Sequence, residues 1–134
     1  MFSAMLFSIS IVALSQFALY YWRAMLAGAA AQPVSDRTLA AAHVENGHVT
    51  GEDFATLVRL HELTPELHNS SNSLGLVRLY YWFVDSIGSI AATRMPAITA
   101  WSHRELAICA QYAAVQVDRR LQANLELAAS MRSC

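Results

Sequence analysis

The chain begins with a run of apolar residues that contains no charged side chain before Arg23. Residues 2–22 would form about 31 Å of α-helix, which matches the hydrocarbon core of a bilayer at roughly 30 Å. Nine of these residues are Phe, Leu, Ile or Val, and together they favour insertion by about 3 to 5 kcal/mol. Serines and a glutamine offset part of that gain. The pattern predicts a hydrophobic helix in residues 1–32 that crosses a membrane once.

Aromatic residues and a cation mark the place where this helix would leave the bilayer. Tyr20, Tyr21 and Trp22 directly precede Arg23. Amphipathic rings favour the headgroup level, and positively charged residues favour the cytoplasmic side. Because the nearest positive residues lie only on the C-terminal side, we expect the N-terminus outside the cell and residues 33–134 in the cytoplasm.

Small and polar residues within the first helix indicate a surface for another polypeptide. Ala4, Ser8, Ser15 and Gln16 recur at spacings of four, seven and eight. Small residues let a neighbouring helix approach closely, and a glutamine amide inside a bilayer favours a hydrogen-bonding partner. We therefore predict that these residues face a partner, although a helix of simply mixed composition would have the same sequence.

Capping residues and apolar spacing predict two helices after Pro33. Ser35 is a suitable cap for a short helix that would reach about Glu45. Residues 50–53 read Thr-Gly-Glu-Asp and resemble the N-terminal cap of an amphipathic helix. Its apolar face would begin at Phe54 and recur at helical spacing.

A strongly apolar helix is predicted over residues 74–94, followed by the longest helix of the chain. Arg78 and Asp85 lie on one face of the first and argue against a second membrane span. Residues 102–105 read Ser-His-Arg-Glu and match a capping box, so the last helix would begin at Thr99 or Ser102 and continue to Arg132. Its predicted seam has small side chains: Leu106, Ala110, Ala113, Val117, Leu121 and Ala128.

Composition agrees with an all-α protein that does not stand alone in water. Hydrophobic residues make up 55% of the 134 residues, charged residues 14%, and the mean hydropathy is +0.31. Soluble domains usually contain about 25% charged residues. Five Gly and three Pro leave few turns for a β-fold. We predict the hydrophobic helix, then a small helical bundle with a long C-terminal helix.

A short repeat links the two aromatic clusters of the chain. Leu-Tyr-Tyr-Trp occurs at residues 19–22 and again at 79–82, where it supplies Tyr80, Tyr81 and Trp82. A weaker similarity follows each copy, with Ser-Asp-Arg-Thr-Leu-Ala from Ser35 and Ser-His-Arg-Glu-Leu-Ala from Ser102. Either the unit of helix, break and helix is duplicated or the match is a coincidence. Duplication would place both clusters in equivalent packing, and we predict both as interface residues.

Chemical motifs do not nominate an active site. The five histidines include one Glu-x-x-His spacing, at Glu45 and His48, but its Asn-Gly interior belongs to a turn, so no metal site is expected. No Cys-x-x-Cys-His, phosphate loop or nucleophile elbow occurs. Cys109 is expected in the core. It lies about 37 Å along the last helix from Cys134, too far for a disulfide.

These observations favour a non-catalytic accessory subunit of a larger membrane protein complex, with other protein subunits and the lipid bilayer as partners and no cofactor. A net charge of −1 gives no excess of positive charge for nucleic acid. The first alternative is a soluble homo-oligomeric helical bundle. The second is a small membrane protein that binds a pigment, quinone or lipid against the aromatic residues 80–83. A cleaved signal peptide is disfavoured because no basic residue precedes the apolar run.

Overall fold

The computed structural model describes residues 2–42, 44, 49–65 and 73–133, and within these residues the regular structure is entirely helical. A 3₁₀ turn at Gly51–Asp53 leads into the third helix. The α-helices, in chain order, are α1 (Phe2–Ala30), α2 (Asp36–Ala41), α3 (Phe54–Leu63), α4 (Ser73–Ala91) and α5 (Pro96–Arg132). The expectation of an all-α protein with a long apolar N-terminal helix and a long C-terminal helix is confirmed.

Helix α5 is the centre of the bundle, and each of the other helices packs on it. Its buried face consists mainly of small side chains, which let several helices approach one axis. The buried apolar residues of this face are Leu106, Cys109, Ala110, Ala113, Ala114, Val115 and Val117. The predicted seam is therefore confirmed as far as Val117. The last turns of α5 extend past the bundle, where Leu125 is 51% exposed.

Helix α1 has a packed part and a projecting part. Residues 2–21 are all exposed, whereas Leu26 is only 3% exposed and belongs to the hydrophobic core. Trp22 is partly buried against the same core. Packing of α1 therefore begins at its sixth turn, and the part before it extends away from the bundle. The predicted division at residues 32 and 33 falls between α1 and α2.

Pro96 explains why two predicted helix boundaries, the end of α4 and the beginning of α5, are wrong. Helix α4 ends at Ala91 rather than Arg94, and α5 begins at Pro96 rather than at Thr99 or Ser102. A proline favours an extended residue before it, and Met95 has φ −139° and ψ 87°. The same proline suits the first turn of a helix, where a missing N–H costs nothing.

The capping predictions have mixed outcomes. Residues 50–53 form the predicted cap, in which the Thr50 backbone N–H and hydroxyl both donate to Asp53 Oδ2 at 2.8 Å. The predicted box at residues 102–105 is wrong, since Ser102 lies inside α5 and donates to the Thr99 carbonyl at 2.8 Å. Ser35 precedes α2 as expected. The predicted end of α2 at Glu45 lies outside the described residues.

The two Leu-Tyr-Tyr-Trp copies are not packed equivalently, so that expectation is wrong. In α1 Tyr20 is 71% exposed while Trp22 is partly buried. In α4 Tyr80 is partly buried, and Trp82 is 65% exposed. The weaker similarity after each copy is not structural either. Ser35, which follows the first copy, precedes α2, whereas Ser102, which follows the second copy, lies inside α5. Identical tetrapeptides therefore face different environments.

Candidate functional site

The projecting part of α1 is a continuous apolar surface with no cover from the rest of the described chain. The helix is long and apolar enough to cross a membrane, and none of its most apolar window is buried. Phe2 is 86% exposed and Leu14 is 72% exposed. Large apolar patches on a folded surface mark interfaces with proteins or membranes. The prediction of one candidate membrane helix near the N-terminus is confirmed.

The polar residues of this helix differ in whether their hydrogen bonds are satisfied. Ser8 Oγ donates to the Ala4 carbonyl at 2.9 Å, and Ser15 Oγ donates to the Ile11 carbonyl at 2.8 Å. These hydroxyls are satisfied within α1 and are compatible with lipid. Within the described residues no hydrogen bond involves the side chain of Gln16. Of Ala4, Ser8, Ser15 and Gln16, Gln16 is thus the one with a polar side chain that has no hydrogen bond among the described residues.

The Gln16 side chain borders a shallow groove along α1. Consecutive helical residues are about 100° apart, so Gln16 points away from the direction of Ser15. The residues that line the groove are Ser8, Ile9, Val12, Ala13 and Gln16. Four of these five have small or medium side chains, which leaves room for the side chains of a neighbouring helix.

The aromatic residues before Arg23 divide between the inside and the outside of the bundle. The Tyr21 ring packs against Phe17, with ring centroids 4.9 Å apart, and meets Tyr20 edge-on at 6.5 Å. Both tyrosines are exposed, whereas Trp22 packs against the core. Two of the three predicted interface residues therefore face outward at the level where packing begins.

A buried carboxylate anchors α1 to the bundle directly after these aromatic residues. Glu105 on α5 is 2% exposed. The Arg23 guanidinium donates to its Oε1 as an ion pair, and the Tyr80 hydroxyl donates to its Oε2 at 3.0 Å. Both oxygens of the carboxylate are therefore satisfied, one by a charge and one by a phenol. This Arg23–Glu105–Tyr80 cluster, the polar anchor, joins α1, α4 and α5.

The surroundings of the polar anchor affect the protonation of one of its groups, the Tyr80 phenol. Burial, and secondarily the hydrogen bond to Glu105, raise the pKa of Tyr80 well above its usual value, so the phenol stays protonated. The Arg23 guanidinium also lies 5.9 Å from the centroid of the Trp101 ring, within the range of a cation–π contact. The anchor thus joins the helices through an ion pair, a hydrogen bond and a cation–π contact.

A second buried acid fastens the segment after α1. Asp118 is 5% exposed and accepts hydrogen bonds from the hydroxyls of Ser35 and Thr38, the latter at 2.7 Å. Gln122 Nε2 donates to its other oxygen at 3.0 Å. Ser35 therefore bonds to α5 instead of capping its own helix through its side chain. The second cluster fixes α2 on α5.

Sequence reasoning did not find either buried acid. The sequence pattern places Glu105 in a cap and assigns no role to Asp118. A signal was available, because Glu105 lies four residues before Cys109 and Asp118 lies four residues after Ala114, and both neighbours are buried. An acid at helical spacing from a core position faces the core and requires a partner.

Two of the three predicted aromatic interface residues on α4, Tyr80 and Tyr81, are partly buried in the bundle. Tyr81 stacks on Phe54 with ring centroids 4.1 Å apart and donates to the Gly51 carbonyl at 2.8 Å. Of the predicted interface residues on α4, only Trp82 is exposed. Beside it an apolar stripe follows helical spacing on the surface: Leu76, Leu79, Phe83 and Ile90.

The charged residues of α4 lie on the surface, as expected. Arg78 forms an exposed ion pair with Glu62 at 3.3 Å, and Asp85 is also exposed. Exposed pairs of this kind stabilise little. These charged side chains are exposed beside the apolar stripe, and they do not support a second membrane span in α4.

The candidates for metal or nucleophilic chemistry do not come together. No group of three or more His, Cys, Asp or Glu residues is placed to hold a metal ion in the part of the chain that the structure describes. Residues 43, 45–48 and 66–70, which include three of the histidines, lie outside that part. Cys109 is fully buried as predicted, and burial raises the pKa of its thiol to about 12.

Comparison with protein-family models, with curated proteins and with solved structures finds no match to this chain. The geometry of α1 and its anchor is therefore the basis for a functional assignment.

Proposed function

We propose that the protein is a non-catalytic accessory subunit of a larger membrane protein complex. It would contribute one membrane helix, α1, and a peripheral bundle built from residues 33–134. The observation that supports this most strongly is the exposure of every residue from Phe2 to Tyr21 on a helix of membrane-spanning length.

The exposed surface of α1 requires an apolar surrounding. Leaving a single Leu or Phe side chain in water instead of burying it costs about 1.5 to 3 kcal/mol. Six exposed Phe and Leu residues of the projecting part would each carry that cost, and they include Phe7, Leu14 and Phe17, all more than 60% exposed. A bilayer covers the entire circumference of the helix at once, which a single neighbouring helix does not.

The polar anchor supports the same arrangement. Arg23 is the first charged residue of the chain, and its pairing with Glu105 fixes the point at which α1 changes from a free helix to a packed one. The exposed Tyr20 and Tyr21 lie at this level. Rings at the headgroup level followed by a cation are typical of the exit of a membrane helix.

A protein partner in the membrane is supported by Gln16. The residue lies seven positions before Arg23, about 10 Å along the helix and thus within the bilayer. A side-chain amide in hydrocarbon without a hydrogen bond costs several kcal/mol, roughly 2 to 7 by transfer scales. A donor or acceptor on a neighbouring membrane helix would remove that cost.

A second surface for a protein partner lies outside the membrane helix, on α4. Three residues of the stripe defined above form this surface: Leu76, Leu79 and Phe83, each at least 50% exposed. Apolar residues at three- and four-residue spacing form the kind of face that packs against another helix. The subunit would therefore contact its complex both through α1 and through α4.

The proposed orientation places the N-terminus outside and the bundle in the cytoplasm. It depends on the positive residues Arg23 and Arg37, which follow the apolar run. This orientation can be tested in intact cells with a membrane-impermeant thiol reagent. The reagent should react with a cysteine placed at Phe2 and should not reach the cysteine of M131C.

Photocrosslinking in native membranes tests the subunit proposal. A photoreactive amino acid is placed at Gln16 and, as a matched control, at Leu14, which points about 160° away around the helix. We expect one strong crosslink to a discrete membrane protein from Gln16 and weaker or lipid-dominated products from Leu14. Equal products from both positions, or products from neither, would contradict a partner helix at Gln16.

The soluble homo-oligomer remains the main alternative, and the stripe on α4 is compatible with it. In that case the projecting parts of several α1 helices would bury one another. Sedimentation without detergent separates the two proposals, because the oligomer stays in solution as a particle of defined mass. The membrane subunit is instead expected in the pellet and requires detergent for extraction. Pigment binding stays a hypothesis, which an absorption spectrum of the purified protein tests.

A further inference from the structure

The relative direction of α1 and α5 determines which end of the bundle faces the membrane. Arg23 in α1 pairs with Glu105, and nine residues later Gln32 accepts a hydrogen bond from Arg119 at 2.7 Å. From the first contact to the second, the residue numbers increase in both segments. Helices α1 and α5 therefore run in the same direction. The beginning of α5 therefore lies on the side toward which the projecting part of α1 extends.

The end of the α4–α5 hairpin reaches past the level of the polar anchor. Residues 96–104 of α5 precede Glu105 and add about 13 Å of helix at 1.5 Å per residue. Helix α4 runs back along α5 and ends at Ala91, so its last turn lies at the same level. If Arg23 stands at the outer edge of the headgroup layer, this hairpin end reaches through that layer to the upper part of the acyl chains.

The surface of the hairpin end suits that location. Residues 86–102 contain a single charged side chain, Arg94. Ile90 is 81% exposed and Met95 is 55% exposed. By contrast, residues 118–132 at the other end of α5 contain five Arg, Asp or Glu residues. One end of the bundle is thus apolar with one cation, and the other end is charged.

We propose that the α4–α5 hairpin end, residues 88–98, inserts into the headgroup layer of the leaflet from which α1 emerges. This inference rests on the proposed membrane insertion of α1. Ile90 and Met95 would contact the upper part of the acyl chains, and the Arg94 guanidinium would bind a lipid phosphate, for which its planar donors are suited. The bundle then has two lipid contacts, and α1 has a fixed tilt.

The choice of lipid over protein follows from the depth and the charge of the hairpin end. Its exposed apolar residues, Ile90 and Met95, lie on the same side of the polar anchor as the exposed Tyr20 and Tyr21. A lone arginine among apolar residues matches the boundary between phosphates and acyl chains. A protein that covered the same end would have to occupy the space that the bilayer around α1 already fills.

Nitroxide depth measurements on the full chain test this inference. Single labels are placed at Met95, at Leu14 and at Met131 in a Cys134→Ser background, by M95C, L14C and M131C. All three native side chains are at least half exposed, so the labels leave the packing undisturbed. The remaining Cys109 is fully buried and stays a thiol. The protein is reconstituted in vesicles of phosphatidylcholine and phosphatidylglycerol.

The expected result is a graded depth. The label at Leu14 should be reached by dissolved oxygen and protected from a water-soluble nickel chelate, and the label at Met131 should show the reverse. The label at Met95 should be several-fold less accessible to the chelate than that at Met131, and shallower than that at Leu14. Replacing Arg94 with Glu should move the Met95 label toward water.

Each contrary result has a distinct meaning. A deep Leu14 label with a Met95 label as exposed as Met131 would overturn the hairpin contact and leave the membrane helix intact. A Leu14 label in water would overturn the membrane helix and the hairpin contact with it. Spin–spin broadening at Met95 that disappears on dilution with unlabelled protein would show a second copy at the hairpin end and would also overturn the inference.

Discussion

The two parts of α1 form one unbroken helix but have opposite relations to the rest of the protein. Leu14 in the projecting part is 72% exposed, and Leu26 in the packed part is 3% exposed. Both are leucines on a helix without charge except Arg23. Apolar composition therefore does not determine what covers a residue. The difference comes from the partner surface, since the small-residue face of α5 lies beside the packed part alone.

Arg23 marks the boundary between these two parts. An arginine with a buried acidic partner holds the following turns against α5, and in the proposed membrane arrangement it would also limit how far α1 enters the bilayer. The bundle thus needs only the last third of α1 for its own core. No other described residue covers the first two thirds of the helix.

Replacing Val12 with Asp should have the largest effect of any single change in the projecting part. A charged residue at the centre of a membrane helix disfavours insertion by about 2.5 to 3.5 kcal/mol, and the lost valine adds a few tenths. Since that penalty approaches the whole gain of about 3 to 5 kcal/mol, V12D should lose most of its membrane-bound fraction, measured by alkaline extraction of membranes.

The matched control for that change is Leu125→Asp on α5. Val12 is 57% exposed and Leu125 is 51% exposed, so both changes introduce an acid at a comparably open position. Only V12D should alter membrane integration. Equal loss in the two variants, or no loss in V12D, would show that the projecting part does not lie in lipid.

Truncating Leu26 to Ala should destabilise the bundle by about 3 kcal/mol, because it opens a cavity between α1 and α5. The same change at Leu14 should leave the unfolding of the bundle unchanged, since no described residue packs on that side chain. The midpoint of thermal unfolding in detergent, followed by circular dichroism, measures both. An equal response at the two leucines would mean that the division of α1 at Arg23 is wrong.

Much of this division was accessible from the sequence, because it depends on local pattern. The uncharged run before Arg23 predicts the span, and the apolar spacing at Phe54, Leu57 and Val58 predicts the buried face of α3, which the structure confirms. Such signals need only a helical period and a stretch of neighbouring residues.

The polar anchor was not accessible in the same way, because its members lie far apart in the chain. Arg23 and Glu105 are separated by 82 residues, and no short motif connects them. The local signal at Glu105 was also misleading, since Ser102 and Glu105 have the spacing of a capping box while lying inside a helix. Which acid faces the core is decided by tertiary packing, and that information is not local.

Removing the charge of Arg23 should weaken the attachment of α1 by about 2 kcal/mol, because the Glu105 carboxylate keeps only its hydrogen bond to Tyr80. Arg23→Leu is the variant, and Arg78→Leu is its control. The latter breaks the exposed pair with Glu62, for which a change below about 0.5 kcal/mol is expected. Chemical unfolding in detergent compares them. Similar losses in the two variants would show that the anchor contributes no more than a surface pair.

The smallest expected effect is a loss of stability at alkaline pH. It comes from the thiol of Cys109, which α5 presents to the core that also contains Leu26 of α1. Burial raises the pKa of Cys109 from 9.0 to about 12 in the folded chain. Between these values the unfolded chain releases a proton that the folded chain retains, so the free energy of unfolding is unaffected below pH 9 and falls as the pH rises toward 12. The expected loss is about 1 kcal/mol near pH 9.5.

The variant Cys109→Ala isolates that contribution, because alanine has no proton to lose. Its stability at pH 8 will differ from that of the parent through the volume change alone, so the comparison concerns the slope of stability against pH between pH 8 and pH 10 at about 25 °C. A shallower slope in C109A is expected, with the remaining decline due to groups such as Tyr80, whose pKa is also raised by burial. Parallel slopes would mean that the thiol is already reached by water, and that the interface between α5 and the packed part of α1 is open.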